Sequence, residues 1–375
     1  MSTDSGPVGK AVYLQSNEHE NSVISITIGH DGKLYGGMTT STGGMGGAGI
    51  DGTTNKPAGP DALSSQGSVV VKDNYLFAVN AGSNTVSMFK IDGINAADLS
   101  MIGNPSAVPG DFPVTVAASV KRSLVCVGYT GKMAGVSCAP FTHEGLGPMK
   151  QVLDFDLDQT TPPVGPTNTV AEVFFTADDS RLITTVKGDP TTNNTGFISV
   201  LPFKDSCSCA LQGHDVRTSP PGTAVLFGSV NIPDTSDLFV TDASFGTTIL
   251  DLHPNTDSVS LLHKTVITGQ KATCWAAYSE ARNSVFVTDA GRDRLIEIGA
   301  HDSKIMSTLD LKNGDPGLTD VKVSGRFVYA LSPGNGTTPA AITVVDSFQG
   351  QEIQHFQLEK LGGSKRAQGM AILQW

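Results

Sequence analysis

Apolar and polar residues alternate with a period of two along most of the chain, in short runs broken by Gly, Asn and Asp. That period places successive side chains on opposite faces of a strand, and the β-branched and aromatic content of the runs supports strands. No long stretch carries helical periodicity. One phrase recurs: an apolar run, a turn, a second run ending in a small polar loop, then a third run. It is clearest at Gly67–Lys90 and returns at Val114–Phe141. Later copies centre on Arg181–Val186, Asp237–Asp242, Ser284–Asp289 and Arg326–Leu331. The spacing of about 40–60 residues is that of propeller blades. Six whole copies lie between about residues 62 and 358, whereas Ala11 to about Thr42 supplies three strands without a leading one. The tail, Ala367–Gln374, is a strand with no partner after it. Joining the two ends completes a seventh blade and removes the open sheet edges. The pattern therefore predicts an all-β, seven-bladed propeller closed by its N- and C-terminal strands, with a pair of β-sandwiches as the competing architecture. The expected organisation is a flexible N-terminus over 1–10 and one domain over 11–375. A long Gly-rich inter-blade loop spans about 41–66 and reads as a lid, a binding loop or a mobile segment.

Composition narrows the function. Of 375 residues 39% are hydrophobic and 16% charged, and 42 are Gly and 20 Pro, so a large core is available and disorder is excluded. The net charge of −11 argues against a nucleic-acid partner. No apolar run reaches the ~18 residues of a membrane helix, so no membrane partner is expected. The first ten residues contain no apolar signal-like region, and a cytoplasmic protein is expected. Cys126, Cys138, Cys207, Cys209 and Cys274 form no zinc-like spacing and are expected as reduced thiols. The sequons at Asn193 and Asn335 carry meaning only in a secreted chain.

In a propeller the loops from second to third strands gather with the inter-blade loops on one face, around the channel. That rule draws the candidate site. Lys132, Lys187, Arg292 and Gln368 are the candidate catalytic donors. Gln15, Asn17, His19, Asn80, Tyr129, Asp242, Phe245, Trp275 and Asp289 are the candidate substrate contacts. Trp275 also begins a leading strand, where core packing competes with a role as a pocket wall. Glu18, Asn80, Asp242 and Asp289 carry oxygens of the kind calcium takes, although an Asp after a strand commonly bonds its own turn. The Gly-rich stretch at 43–49 is not followed by Lys-Ser/Thr or a helix, so it is no phosphate cradle. No nucleophile elbow occurs in a strand–turn–helix setting. No dinucleotide fingerprint or closed ligand set is present, and no cofactor or metal is expected.

Several segments resemble one family. Ala11–Asn17, Gly52–Leu63, Leu76–Thr85, Gln159–Pro166, Asp242–Gly246, Gln270–Ala277 and Leu331–Thr338 are similar to fungal lactonase-type propellers of the 3-carboxymuconate cyclase-like group. The resemblance covers nearly the whole chain. It implies a propeller enzyme working on small apolar or aromatic molecules without a cofactor. Cyclisation in that family relies on His, Arg and Glu. Here Arg292 could take the Arg role and Glu18 and His19 share a loop, but no residue-by-residue match to the three is evident. A copy without a secretory signal suggests recruitment into tropolone-sesquiterpenoid biosynthesis, where similar propellers act as hetero-Diels–Alderases. The expected function is thus cycloaddition of an o-quinone methide to a terpene alkene. Lactonase or carboxymuconate-type cycloisomerase activity is the alternative, and a non-catalytic binding propeller a second one.

Overall fold

A computed structural model describes residues 8–203 and 214–374. Seven antiparallel sheets of four or five strands form the blades, each running from an inner strand at the channel to an outer one. Blade I joins the chain ends. Gln368–Leu373 is its inner strand, beside Ala11–Gln15, Ser22–Ile28 and Leu34–Ser41. The closing register pairs Ala11 with Leu373, Val12 with Ile372 and Gln15 with Gln368. The predicted closure is therefore the observed one.

Blades II to VII have inner strands Val69–Lys72, Pro113–Ser119, Val170–Phe175, Leu226–Asn231, Thr273–Ser279 and Val321–Ser324. Period-two alternation positions each sheet between two neighbours, so both faces are apolar and the core is a ring of inter-blade layers. Trp275, fully buried, meets the Phe227 ring edge-on at 4.9 Å between blades V and VI.

The inner strands are kinked. Register shifts separate Val170 from Glu172, Leu226 from Ser229, Thr273 from Ala276 and Tyr13 from Gln15 in their pairings. A bulge leaves backbone N–H groups outside the ladder, and these need other acceptors. Gly228 sits in one bulge, where a Cβ would lie 2.3 Å from Gln66 Oε1 and 2.6 Å from the Cys274 carbonyl oxygen. Only glycine fits that approach.

The cysteines correct the sequence reading. Cys126 and Cys138 face each other across the second and third strands of blade III and form a disulfide, with Cα atoms 4.0 Å apart. Cys274 is a buried free thiol. Cys207 and Cys209, like nearly all of the N-terminal segment expected to be flexible, lie outside the described residues.

Candidate functional site

The long inter-blade segment is built into the fold. Ile50–Asp51 pairs antiparallel with Lys56–Pro57 and parallel with Val164–Gly165, forming a small sheet apart from the blades. Residues 61–66 then run as a strap across the channel. The Leu63 N–H donates to Gln368 Oε1 (3.4 Å), the Lys187 ammonium to the Ser64 carbonyl, and Trp275 Nε1 to the Ser65 carbonyl (3.0 Å). Ser65 Oγ donates to the Val114 carbonyl at 2.7 Å. Gln66 ends the strap on the channel axis. Its amide nitrogen donates to Glu172 Oε1 (2.9 Å) and the Ser229 carbonyl (3.0 Å), and its Oε1 accepts from the Ala276 N–H (2.9 Å). The Ser229 N–H donates to Glu172 Oε2 at 2.6 Å. Two N–H groups beside the bulges thus find their acceptors in the strap and in Glu172.

Between strap, small sheet and blades lies a chamber of about 230 Å³, lined by Ile50, Leu63, Phe112, Phe227 and Cys274, with Asp61 and Lys187 as its charged groups near the strap. Gly59, Pro60 and Pro166, all exposed, form its rim. Asp61 Oδ1 accepts from Ser64 N–H (3.0 Å) and from Gln368 Nε2 (3.2 Å). Desolvation raises the Asp61 carboxyl to about 6, against the opposing pull of Lys187 and the two hydrogen bonds. Desolvation lowers the Lys187 ammonium to about 8, against the field of Asp61. The ammonium also sits 4.7 Å from the Phe227 ring centroid. A carboxylate that ionises near 6 beside an ammonium that deprotonates near 8 is an acid–base pair poised at neutral pH. Burial raises the Cys274 thiol, which leaves it unreactive.

The sequence-predicted residues separate into three groups. Lys187 and Gln368 meet at the chamber, through Ser64 and Asp61 respectively. A second group works for the scaffold. Asp242 accepts from the Ala224 N–H (2.7 Å) and Val225 N–H (3.1 Å), and Asp289 accepts from the Lys271 N–H (2.7 Å) and Ala272 N–H (3.0 Å). Each ties the end of a second strand to the segment entering its own blade. Asn17 brackets Gly47, donating to its carbonyl at 2.8 Å and accepting from its N–H at 3.0 Å. Asn80 Oδ1 accepts from Asn21 Nδ2 (2.9 Å) and Thr42 Oγ1 (2.7 Å), and Gln15 Oε1 accepts from Asn21 Nδ2 (3.4 Å). Tyr129 is fully buried against Gly110, where any Cβ would overlap its ring. Trp275 is likewise core and a strap anchor. The third group lies elsewhere on the surface: His19 and Lys132 are exposed, and Phe245 lies 3.8 Å beneath the Lys264 ammonium of an outer strand. Arg292 is half-buried on the third strand of blade VI, outside the chamber lining.

Trp275, Phe245 and Tyr129 are therefore not gathered into an aromatic cleft. The oxygens of Asp242 and Asp289 are committed to backbone N–H groups, and among the described residues no group of three or more acidic, His or Cys side chains is placed to hold a metal. Sequence reasoning did not single out Asp61, Gln66 or Glu172, which the strap and the channel bring into play. Glu172 had a signal, a lone acid inside the apolar run Val-Ala-Glu-Val-Phe-Phe. Asp61 and Gln66 had none, because they lie in a segment read as a connection.

No family model and no curated protein matches the sequence. Solved structures do match in fold. A periplasmic gluconolactonase from Pseudomonas aeruginosa superposes with a TM-score of 0.66 at 14% identity, over 97% of this chain and 98% of that one. A Bacteroides fragilis protein provisionally described as a 6-phosphogluconolactonase gives 0.64 at 10% identity, over 99% of each chain. A protein from Lactobacillus plantarum gives 0.65 at 13% identity, over 98% of this chain and 100% of that one. These likenesses, all at or below 14% identity, place the chain by fold among propeller proteins.

Proposed function

We propose that the protein hydrolyses a small lactone in the chamber beneath the strap. The observation that carries this reading is the Asp61–Lys187 pair facing an apolar cavity. Asp61, as carboxylate, takes a proton from a water molecule whose oxygen attacks the lactone carbonyl carbon. The Lys187 ammonium stabilises the oxyanion that forms. Collapse of the intermediate breaks the ring C–O bond, and the proton held by Asp61 passes to the leaving alkoxide, giving a hydroxy acid. Gln368 and the Ser64 N–H hold Asp61 in place. The likeness in fold to gluconolactonase-type proteins supports this reading. A chamber of about 230 Å³ lies below the ~300–1,000 Å³ of sites for drug-sized ligands, which favours one small ring over two joined partners.

The test is base consumption at constant pH with δ-gluconolactone and with a muconolactone. The wild type should exceed the spontaneous rate on at least one of them. Asp61→Asn and Lys187→Met, each checked for native melting, should each lose about 10²–10³-fold. Rate against pH should be bell-shaped with limbs near 6 and 8, since Asp61 is protonated below the first and Lys187 neutral above the second. Failure on both lactones, with stereoselective adduct formation from an o-quinone methide and a macrocyclic terpene, would replace this reading by cycloaddition.

A further inference from the structure

On the far side of Gln66 from the chamber, all seven inner strands open into a funnel of about 510 Å³. Its wall is mainly aliphatic, with Val70, Val116, Ala118, Ala277 and Ile372 on four different blades. Such a wall needs no charge, yet Lys322 and the buried Glu172 are part of it. Lys322 Nζ donates to Asp320 Oδ1 (2.6 Å) and to the Val321 carbonyl (3.1 Å). An ammonium has three donors, so one N–H remains for a ligand. Asp320, fully buried, has its other oxygen filled by the Met370 N–H at 2.6 Å. Ser229 lines the funnel only 3% exposed, and its hydroxyl has no hydrogen-bond partner.

We infer that the funnel is a second binding site, for a small carboxylate with an apolar body held by the Lys322 ammonium. The body covers the aliphatic wall, and the carboxylate takes the remaining N–H as a charge-assisted hydrogen bond in a desolvated setting. Of the nearby acids, Asp320 has both oxygens engaged, by the Lys322 ammonium and the Met370 N–H, and burial pushes the Glu172 carboxyl up to about 8, so it is mostly protonated at neutral pH. The charged groups whose fields reach Glu172 are Lys322 and Asp320; Lys72 and Asp179 also line the funnel. The inference does not depend on the chemistry of the chamber, from which Gln66 separates the funnel.

Calorimetric titration of the full chain at pH 7 with octanoate, octanol and octylamine tests it. Octanoate should bind one to one with a Kd of about 1 mM or tighter, and the alcohol and the amine about tenfold more weakly or worse. Lys322→Met should weaken octanoate about tenfold or more. That change leaves Asp320 without its cation, so Ala118→Trp, which narrows the funnel without touching a charge, gives the same readout if the first variant does not fold. Lys187→Met should leave octanoate binding unchanged. The inference is overturned if octanoate fails to bind at ~10 mM, or if octanol or octylamine binds as well. Loss of octanoate binding in Lys187→Met but not in Ala118→Trp would equally overturn it, by locating the ligand in the chamber.

Discussion

A carboxyl group sealed among strands must find donors or keep a proton, and Glu172 does both. The Gln66 amide and the Ser229 N–H reach its two oxygens, yet desolvation outweighs them and raises the group from 4.5 to about 8. Between those values the folded protein holds a proton that the unfolded chain has released. Stability therefore falls as pH rises through the window, by up to about 1.4 kcal/mol per pH unit. Glu172→Gln removes this slope: relative to wild type, the variant should gain stability steadily from pH 5 to pH 8 in urea unfolding. An unchanged slope would show that Glu172 is already ionised in the folded state. Gln66 is the second residue with leverage, since Gln66→Ala strands Glu172, the Ser229 carbonyl and the Ala276 N–H at once. A loss of about 2–4 kcal/mol in unfolding free energy is expected, above the ~1 kcal/mol of a single hydrogen bond.

At the scale of elements, bulges and strap form one device. Each bulge kinks an inner strand and releases an N–H, and Gln66, Glu172 and Asp320 collect the ones from Ala276, Ser229 and Met370. The strap is thus held by backbone groups that a regular sheet would keep to itself. The disulfide of blade III acts through the unfolded chain instead, closing a loop with a sequence separation of 12. Loss of the bond in Cys126→Ala/Cys138→Ala should cost about 3 kcal/mol, and the wild type should show the same drop in melting temperature under reductant. Such bonds persist in oxidising compartments. Equal melting with and without reductant would mean that the pair contributes nothing to stability.

For the whole molecule, closure is the controlling feature. The inner strand of blade I comes from the C-terminus, and its removal exposes the edge at Ala11–Gln15 as well as the channel. A chain ending at residue 366 should melt well below the full-length protein and aggregate, as an opened ring presents unpaired strand edges. Co-melting of the two forms would show that the ring holds without its closing strand.

The ring itself was legible in the sequence because its causes are local and repeated. Period-two alternation sets which faces are buried, turn residues set the strand ends, and the copy number, with three strands lacking a leading one at the N-terminal end and a lone strand at the other, leaves closure as the arrangement without open edges. The Asp242 and Asp289 turns, weighed in the sequence against a substrate or ion role, follow the same local logic: each carboxylate accepts from the N–H two residues on, of Ser244 (2.9 Å) and Gly291 (3.0 Å). The chamber and the funnel were not. Asp61 and Lys187 are 126 positions apart, and Gln66 and Glu172 106. Nothing in a segment rich in Gly and Pro signals that it will cross the channel. Of the residues that face rules selected, Lys187 and Gln368 lie against the strap, whereas Trp275 and Tyr129 were drawn inward by packing and His19, Lys132 and Phe245 remained apart. Local pattern determined the strands and their number. Only the tertiary structure decided which polar groups lost water together, and desolvation, which depends on every neighbour at once, is what raised Asp61 and Glu172 and lowered Lys187.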